Sequence, residues 1–377
     1  MDGAAYIAIV VAAVAVVING IPQLAYATSL GFAPKPVAFA YLVGAAGNAI
    51  TGSVTPIAAQ AETLTVSGII KNMRQRVAAL LLAAVVGIAM GVTGSVTAIA
   101  EWAGTAVVLG MMAGVGLILT EVAFTMYVKE KITAGASIVT ALVVWALTKD
   151  VVWTIAASVV VSTAVFVFAL NRRVDLLGAI EANGQSTDQL QSNDARFWKK
   201  EYWAEFKLIK PQFGWTAVLG GLGFICLNIG SNTAFGNITA SIAGTTQNLD
   251  HLTIINSLAD IPSIMFGGAP IEAIISGTAG APNPVLTGIV MMVLTAVLLL
   301  TGVIGRIGRY VPAESIAGFL AVIGVFLTFV PNLNAAVSGD DAAAGAVAIG
   351  LTAITKNPFI GLVAGVLTRF FGHYVGL

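Results

Sequence analysis

A proline and four glycines recur at one fixed offset in two long apolar stretches of this chain, and that recurrence limits the folds open to it. Pro56, Gly91, Gly94, Gly104 and Gly110 fall, without a gap, on Pro270, Gly305, Gly308, Gly318 and Gly324. The spans 56–112 and 270–326 hold six and eight glycines. Chance would align about one pair at this offset; four align. A second echo sets Ala146-Leu147-Thr148-Lys149-Asp150 against Ala353-Ile354-Thr355-Lys356-Asn357. Two matched halves, each with a broken hydrophobic segment, are the sequence form of a secondary transporter.

The solvent over most of the chain must be lipid. Of 377 residues, 58% are hydrophobic and only 10% charged, with a mean hydropathy of +0.93; no soluble domain of this size needs so much apolar surface. The formal net charge is zero, which argues against a nucleic-acid partner. Cys226 is the single cysteine, and His251 and His373 are the two histidines. That excludes disulfides and disfavours a Cys/His metal site. No nucleophile–base set or phosphate loop is visible, so neither an enzyme nor a cofactor is expected. Met1-Asp2-Gly3 leads into an apolar run with no basic region before it, which reads as a first transmembrane helix and not a signal peptide.

Apolar runs give seven segments per half: near 4–30, 36–53, 56–70, 76–97, 103–125, 133–148 and 151–170, then 213–244, 250–265, 268–281, 284–304, 312–331, 337–354 and 358–376. The expectation is an all-α polytopic membrane protein of about 14 segments, in two repeats of seven (1–170 and 211–377), placed in the cell membrane. The pieces beginning at Pro56 and Pro270 are the shortest. Proline lacks a backbone donor, so the chain just before each should be extended, a short break in segments 3 and 10, with a half-helix after the proline. Non-helical backbone at that depth is tolerated only where protein or water satisfies it, which puts both breaks beside an internal cavity.

Residues 171–210 form the one long polar segment. Within it, 182–194 has the composition of a flexible linker. Trp198, Tyr202 and Phe206, spaced by four with lysines between them, suit an amphipathic helix at the headgroup level. Charge relates the halves. Lys71, Arg74 and Arg76 follow the third segment and nothing basic follows the tenth; Arg306 and Arg309 follow the eleventh and nothing basic follows the fourth. Equivalent loops swap their basic residues, so the repeats are inverted. All lysines and arginines except Lys149 and Arg369 follow odd-numbered segments, which assigns the linker to the cytoplasm and both termini to the outside.

The stretch from Phe266 to Gly277, FGGAPIEAIISG, resembles the tenth span of the xanthine/uracil permease family, closest to its azaguanine–hypoxanthine branch. Ser257-Leu258-Ala259-Asp260 and the run from Pro284 to Phe329 are also similar to that family. The resemblance implies a core domain (segments 1–4 and 8–11) that holds substrate between broken segments 3 and 10. It implies a gate domain (5–7 and 12–14) against which the core moves, and often a homodimer contact. Sulfate-type permeases share this fold, and Phe266-Gly267-Gly268-Ala269-Pro270 matches theirs nearly as well. Two departures bear on substrate. The acidic position six residues after the tenth-span proline is Ser276 here, and the eighth-span acidic position falls near Gly236-Asn237. The family's N-terminus usually lies in the cytoplasm, opposite to the charge count.

Ionisable groups within a bilayer are functional candidates by default. Glu62 and Glu272 follow the two prolines and are expected to approach one cavity from opposite sides. Desolvation disfavours the charged form of a carboxyl, so either suits proton coupling. The half-helix N-termini offer unpaired amides to a planar base or an anion. Thr55, Gln60, Ala269 and Ser276 lie nearby. On the eighth segment, Asn232, Asn237 and Thr239 are expected at the site, Asn228 equally as interhelical glue, with Asn19 as their counterpart on the first. Asp260, Glu101, Glu121 and Glu314 read as solvated or helix-end charges. The leading expectation is a proton-coupled nucleobase symporter working by an elevator-like motion. The alternative is a small-anion carrier of the sulfate or dicarboxylate type; a channel or a non-transporting receptor ranks behind both.

Overall fold

The computed structural model describes residues 3–149, 151–171, 206–304 and 312–375. Trp198, Tyr202, Arg306, Arg309 and most of the 171–210 segment lie outside the described residues, as does the side chain of Asn19.

The first half forms α1 (Gly3–Ser29), α2 (Pro34–Thr51), β1 (Ile57–Ala58), α3 (Ala61–Ile69), α4 (Met73–Val92), α5 (Ser95–Ala103), α6 (Thr105–Lys129), α7 (Lys131–Thr148) and α8 (Val151–Asn171). The second forms α9 (Trp215–Ser231), α10 (Asn237–Ile242), α11 (Leu249–Met265), β2 (Glu272–Ala273), α12 (Pro284–Leu300), α13 (Ala317–Val322), α14 (Val330–Ala336), α15 (Ala342–Thr355) and α16 (Pro358–Val375). Among the described residues, six helical stretches are long and apolar enough to cross a membrane, from α1 in the first half to Glu314–Ala336 in the second. Each expected apolar run carries an α-helix except 268–281; the 56–70 run carries α3 after its extended start.

Local chemistry sets the ends. Asn72 caps α4 by accepting from Arg74 N (3.0 Å), and Glu130 caps α7 by accepting from Ile132 N and Thr133 N (3.0 and 2.6 Å). Asn283 caps α12, whose first residue is Pro284, by accepting from Leu286 N (3.1 Å). Lys149 and Lys356, equivalent in the internal echo, each close a helix with φ 54°. They mark helix ends, as the sequence predicts.

Two helices contain π-helical turns. Asn232–Gly236 separates α9 from α10, and Ile323–Phe329 separates α13 from α14. Such turns often occur at functional positions. Packing repeats under exchange of halves: α4 lies on α11 as α2 lies on α12, and α7 lies on α8 as α15 lies on α16.

Three expectations need correction. The fold is not purely helical, because β1 and β2 form a two-stranded antiparallel ladder. The gap between the runs 76–97 and 103–125 carries a short helix of its own, α5, which Gly104 (φ 87°) parts from α6. The 268–281 segment holds no α-helix; after β2 comes only a 3₁₀ turn, Gly277–Gly280.

Candidate functional site

Both proline breaks are stretches of extended chain, and they meet. Ile57 lies opposite Ala273 and Ala58 opposite Glu272, and Ile274 N donates to Pro56 O (3.2 Å). The proline at the head of each break cannot donate, and the extended residues after it find their partners across the pair. Side chains hold the crossing from behind. Asn48 Nδ2 donates to Thr55 O (2.9 Å), Ala59 N donates to Tyr41 Oη (3.1 Å), and Thr239 Oγ1 donates to Ile274 O (2.8 Å). The Gln60 amide also donates to Ala273 O. On the second break, Gly267 turns with φ 78°, a conformation open to glycine.

A cavity of about 240 Å³ opens against this ladder. Ala58, Gln60 and Glu62 line it from the first break, and Ile274, Ile275 and Gly277 from the second. Gln23 of α1, Tyr41 of α2, and Met291 and Thr295 of α12 add to the wall. The two π-helical turns supply Phe235 and the trio Ile323, Leu327 and Thr328. α3 begins at this wall. Gln60 is its N-cap without a side-chain cap, and the first helical bond is Leu64 N to Gln60 O (3.0 Å). The amides of Ala61, Glu62 and Thr63 therefore have no intrahelical acceptor, and the positive end of the helix dipole faces the cavity rim. Glu62, 4% exposed, accepts from Thr328 Oγ1 (3.1 Å). Gln60 Oε1 is buried without a partner. Among the described residues, no lysine, arginine or histidine lines this cavity.

At its other end α3 is tied to a buried cation. Arg76 donates through Nε to Ile70 O (3.0 Å) and through Nη1 to Leu30 O (2.7 Å), and its guanidinium sits 4.8 Å over the Phe32 ring. This places a positive charge at the helix C-terminus, where the last carbonyls need donors.

A second polar cluster lies apart from the cavity, between α4, α9 and α11. Glu272, 3% exposed, accepts at Oε2 from Ser231 Oγ (3.3 Å) and Asn256 Nδ2 (3.5 Å). Asp260, 6% exposed, accepts at Oδ1 from Ile271 N (2.8 Å). Asn232 links Asn228, Thr253 and Asn256 at 2.7–2.9 Å. Glu272 thus does not face Glu62 across the cavity. Asp260, read from sequence as a solvated charge, is buried instead.

Of the residues expected at the site, Gln60 and Glu62 line the cavity. Thr55 is buried and donates to Gln247 Oε1 (2.9 Å). Thr239 supports the second break, Asn232 and Glu272 belong to the second cluster, and Asn237 is exposed. Ala269 is buried, and its carbonyl accepts from Ser263 Oγ (2.7 Å). Ser276 caps the 3₁₀ turn by accepting from Thr278 N (3.2 Å). Tyr41, Thr295 and Thr328 escaped the sequence reading, because a hydroxyl in an apolar helix carries no sign of which way it points. Gln23, an amide within the first apolar run, was the detectable one. Glu121, half-exposed, pairs with Lys356 (2.5 Å), and Glu314, 13% exposed, pairs with Lys129 (2.7 Å).

No family model matches the sequence, and no curated protein does. Solved structures do match. The transmembrane domain of a cyanobacterium bicarbonate transporter, BicA, is similar with a TM-score of 0.61 at 16% identity, over 97% of this chain and 98% of that one. The murine Solute Carrier 26 family member A9 anion transporter, in its inward-facing state, is similar with a TM-score of 0.58 at 13% identity, over 98% of this chain and 68% of that one. A further structure of SLC26A9 gives 0.53 at 14% identity over 95% of this chain and 64% of that one. These likenesses carry the fold, which is that of membrane transporter domains. They do not carry the narrower xanthine/uracil permease assignment. This chain is an integral, multi-pass membrane protein.

Proposed function

We propose that this chain is a cation-coupled secondary carrier of a small anion, taken up in the cavity beside the paired breaks. One observation carries the reading: the N-terminus of α3, with no side-chain cap from Gln60, opens at the wall of a cavity built by both halves. An oxyanion there would meet the first-turn amides of Ala61 and Thr63 and the positive end of a helix dipole, while the Glu62 amide is held by that residue's own carboxyl. The anionic cargo of the similar structures supports this over the nucleobase reading, as does the absence of a carboxylate at Ser276. The core (segments 1–4 and 8–11) would carry the site across some fourteen crossings by sliding against the gate (5–7 and 12–14), in the cell membrane and as a homodimer.

Reconstituted protein should take up labelled hydrogencarbonate, sulfate or a dicarboxylate saturably, and exchange it in counterflow. Uptake of a purine or uracil with none of these anions would overturn the anion reading in favour of the nucleobase one. Non-saturable flux without counterflow would make the protein a channel.

A further inference from the structure

Residues 206–214, in neither helix nor strand, form a strap laid against α2, the start of α4 and the end of α11. Pro211 has no amide to give a helix and disfavours helical geometry at Lys210. Backbone bonds tie the strap down. Ile209 N donates to Met265 O (2.9 Å) and Gln212 N to Arg74 O (3.0 Å), while Arg74 Nε donates to Lys210 O (3.2 Å). Two side chains plug it in place. The Phe206 ring meets those of Phe39 and Phe266, with centroids 5.4 and 6.1 Å apart. Ile209 packs so closely over Gly267 that a Cβ there would lie 2.8 Å from its Cδ1. The strap thus rests on the turn that opens the second break.

Charge on this face has one sign. The segments that meet here, 30–39, 68–76, 206–215 and 263–268, hold six lysines and arginines and no acidic residue. Lys35 and Arg76 are buried. Lys71, Arg74, Lys207 and Lys210 are exposed, and none of these four has an ion pair among the described residues. Like charges gathered in this way repel one another until a counter-charge answers them. Leu208, Phe213 and Trp215 stand exposed beside them, at 56, 62 and 78%. Basic side chains with an apolar and aromatic fringe fit the headgroup layer, where rings enter the acyl boundary and ammonium groups meet phosphate. A soluble polyanion would answer the charges but leave the fringe in water. We propose that the strap and the start of α4 form a binding surface for anionic phospholipid headgroups, with Lys71, Arg74, Lys207 and Lys210 on the phosphates. Bound lipid holds the strap down, and through Ile209 it holds the Gly267 turn.

Protein purified in a non-ionic detergent is titrated with phosphatidylglycerol, phosphatidylcholine or inorganic phosphate. Bound lipid is counted by native mass spectrometry, beside the melting temperature. Phosphatidylglycerol should bind and stabilise saturably, phosphatidylcholine much less, and added salt should weaken the effect. Each charge removed among Lys71→Gln, Lys207→Gln and Lys210→Gln should weaken phosphatidylglycerol binding by about fivefold. These side chains are exposed, so the variants should melt like wild type without lipid. Lys131→Gln, at an exposed lysine that the charge count puts on the same side of the membrane, should bind lipid as wild type does. Hydrogen exchange at the Ile209 amide should slow when phosphatidylglycerol binds. Equal binding of phosphatidylcholine overturns the proposal, as does the same response to inorganic phosphate, which would mark a free-anion site. Undiminished binding in the triple variant, or bound lipid with unslowed exchange at Ile209, overturns it too. No transported solute enters the readout, so failure here is separable from failure of the carrier reading.

Discussion

Glu62 concentrates the chemistry of the cavity into one carboxyl. It sits in the first turn of α3, bonded to Thr328, beside amides suited to an anion. A second negative charge cannot share this low-dielectric space unless the carboxyl is neutral. Anion binding should therefore strengthen as pH falls, because protonation of Glu62 removes the repulsion. Glu62→Gln should bind at all pH values with the low-pH affinity, and a pH gradient should no longer drive accumulation. Anion-induced thermal shifts across pH measure this, and an unchanged pH profile in the variant would count against the assignment. Arg76 makes the complementary case for stability. It has two charge-assisted bonds to carbonyls and a ring beneath it, so Arg76→Ala should cost about 3 kcal/mol or more. Arg76→Lys should recover little, since a lysine cannot reproduce the fork. Thermal unfolding in detergent would show both.

Elements in this protein are spaced by glycines that let helices touch. A Cβ on Gly110 would overlap the Gly345 carbonyl of α15, and Gly324, its equivalent in the repeat, lies against Gly116 of α6. Gly110→Ala should destabilise by about 1–3 kcal/mol through overpacking; an unaltered melting temperature would mean that the α6–α15 approach is looser than described. The recurrence of these glycines was readable in the sequence because close approach permits one residue type. Helix positions were readable too, since apolar runs end at charges and caps. The ladder was not: two residues per strand leave no alternation to detect, and backbone bonds carry no side-chain signature. The half-helix expected after Pro270 failed because β2 is followed by residues 274–276, which are in neither helix nor strand, and then by a 3₁₀ turn. Asp260 was misread for a related reason. Asn256, Ser257 and Asp260 form a polar helix face, which in water would point outward, but in a membrane protein it turns toward other helices.

At the scale of the whole molecule, two halves of opposite sense around a shared centre would account for both the swapped basic loops and the exchanged packing pairs. The distribution of lysine and arginine predicts that a cysteine placed within 182–194 will react with an impermeant reagent only after cells are opened. Labelling from outside intact cells would reverse the orientation. The central claim is that the two proline breaks, one from each half, cross and hold the substrate site between them. Cysteines at Ile57 and Ala273, in a chain whose Cys226 is replaced by alanine, test it directly. Opposed residues of an antiparallel pair lie about 4.5–5.5 Å apart at Cα, within disulfide range. Oxidation in membranes should join the halves, so that cutting a protease site inserted at 182–194 leaves one species until reductant is added. Two separate halves after oxidation, with both cysteines shown to be reactive, would contradict the account.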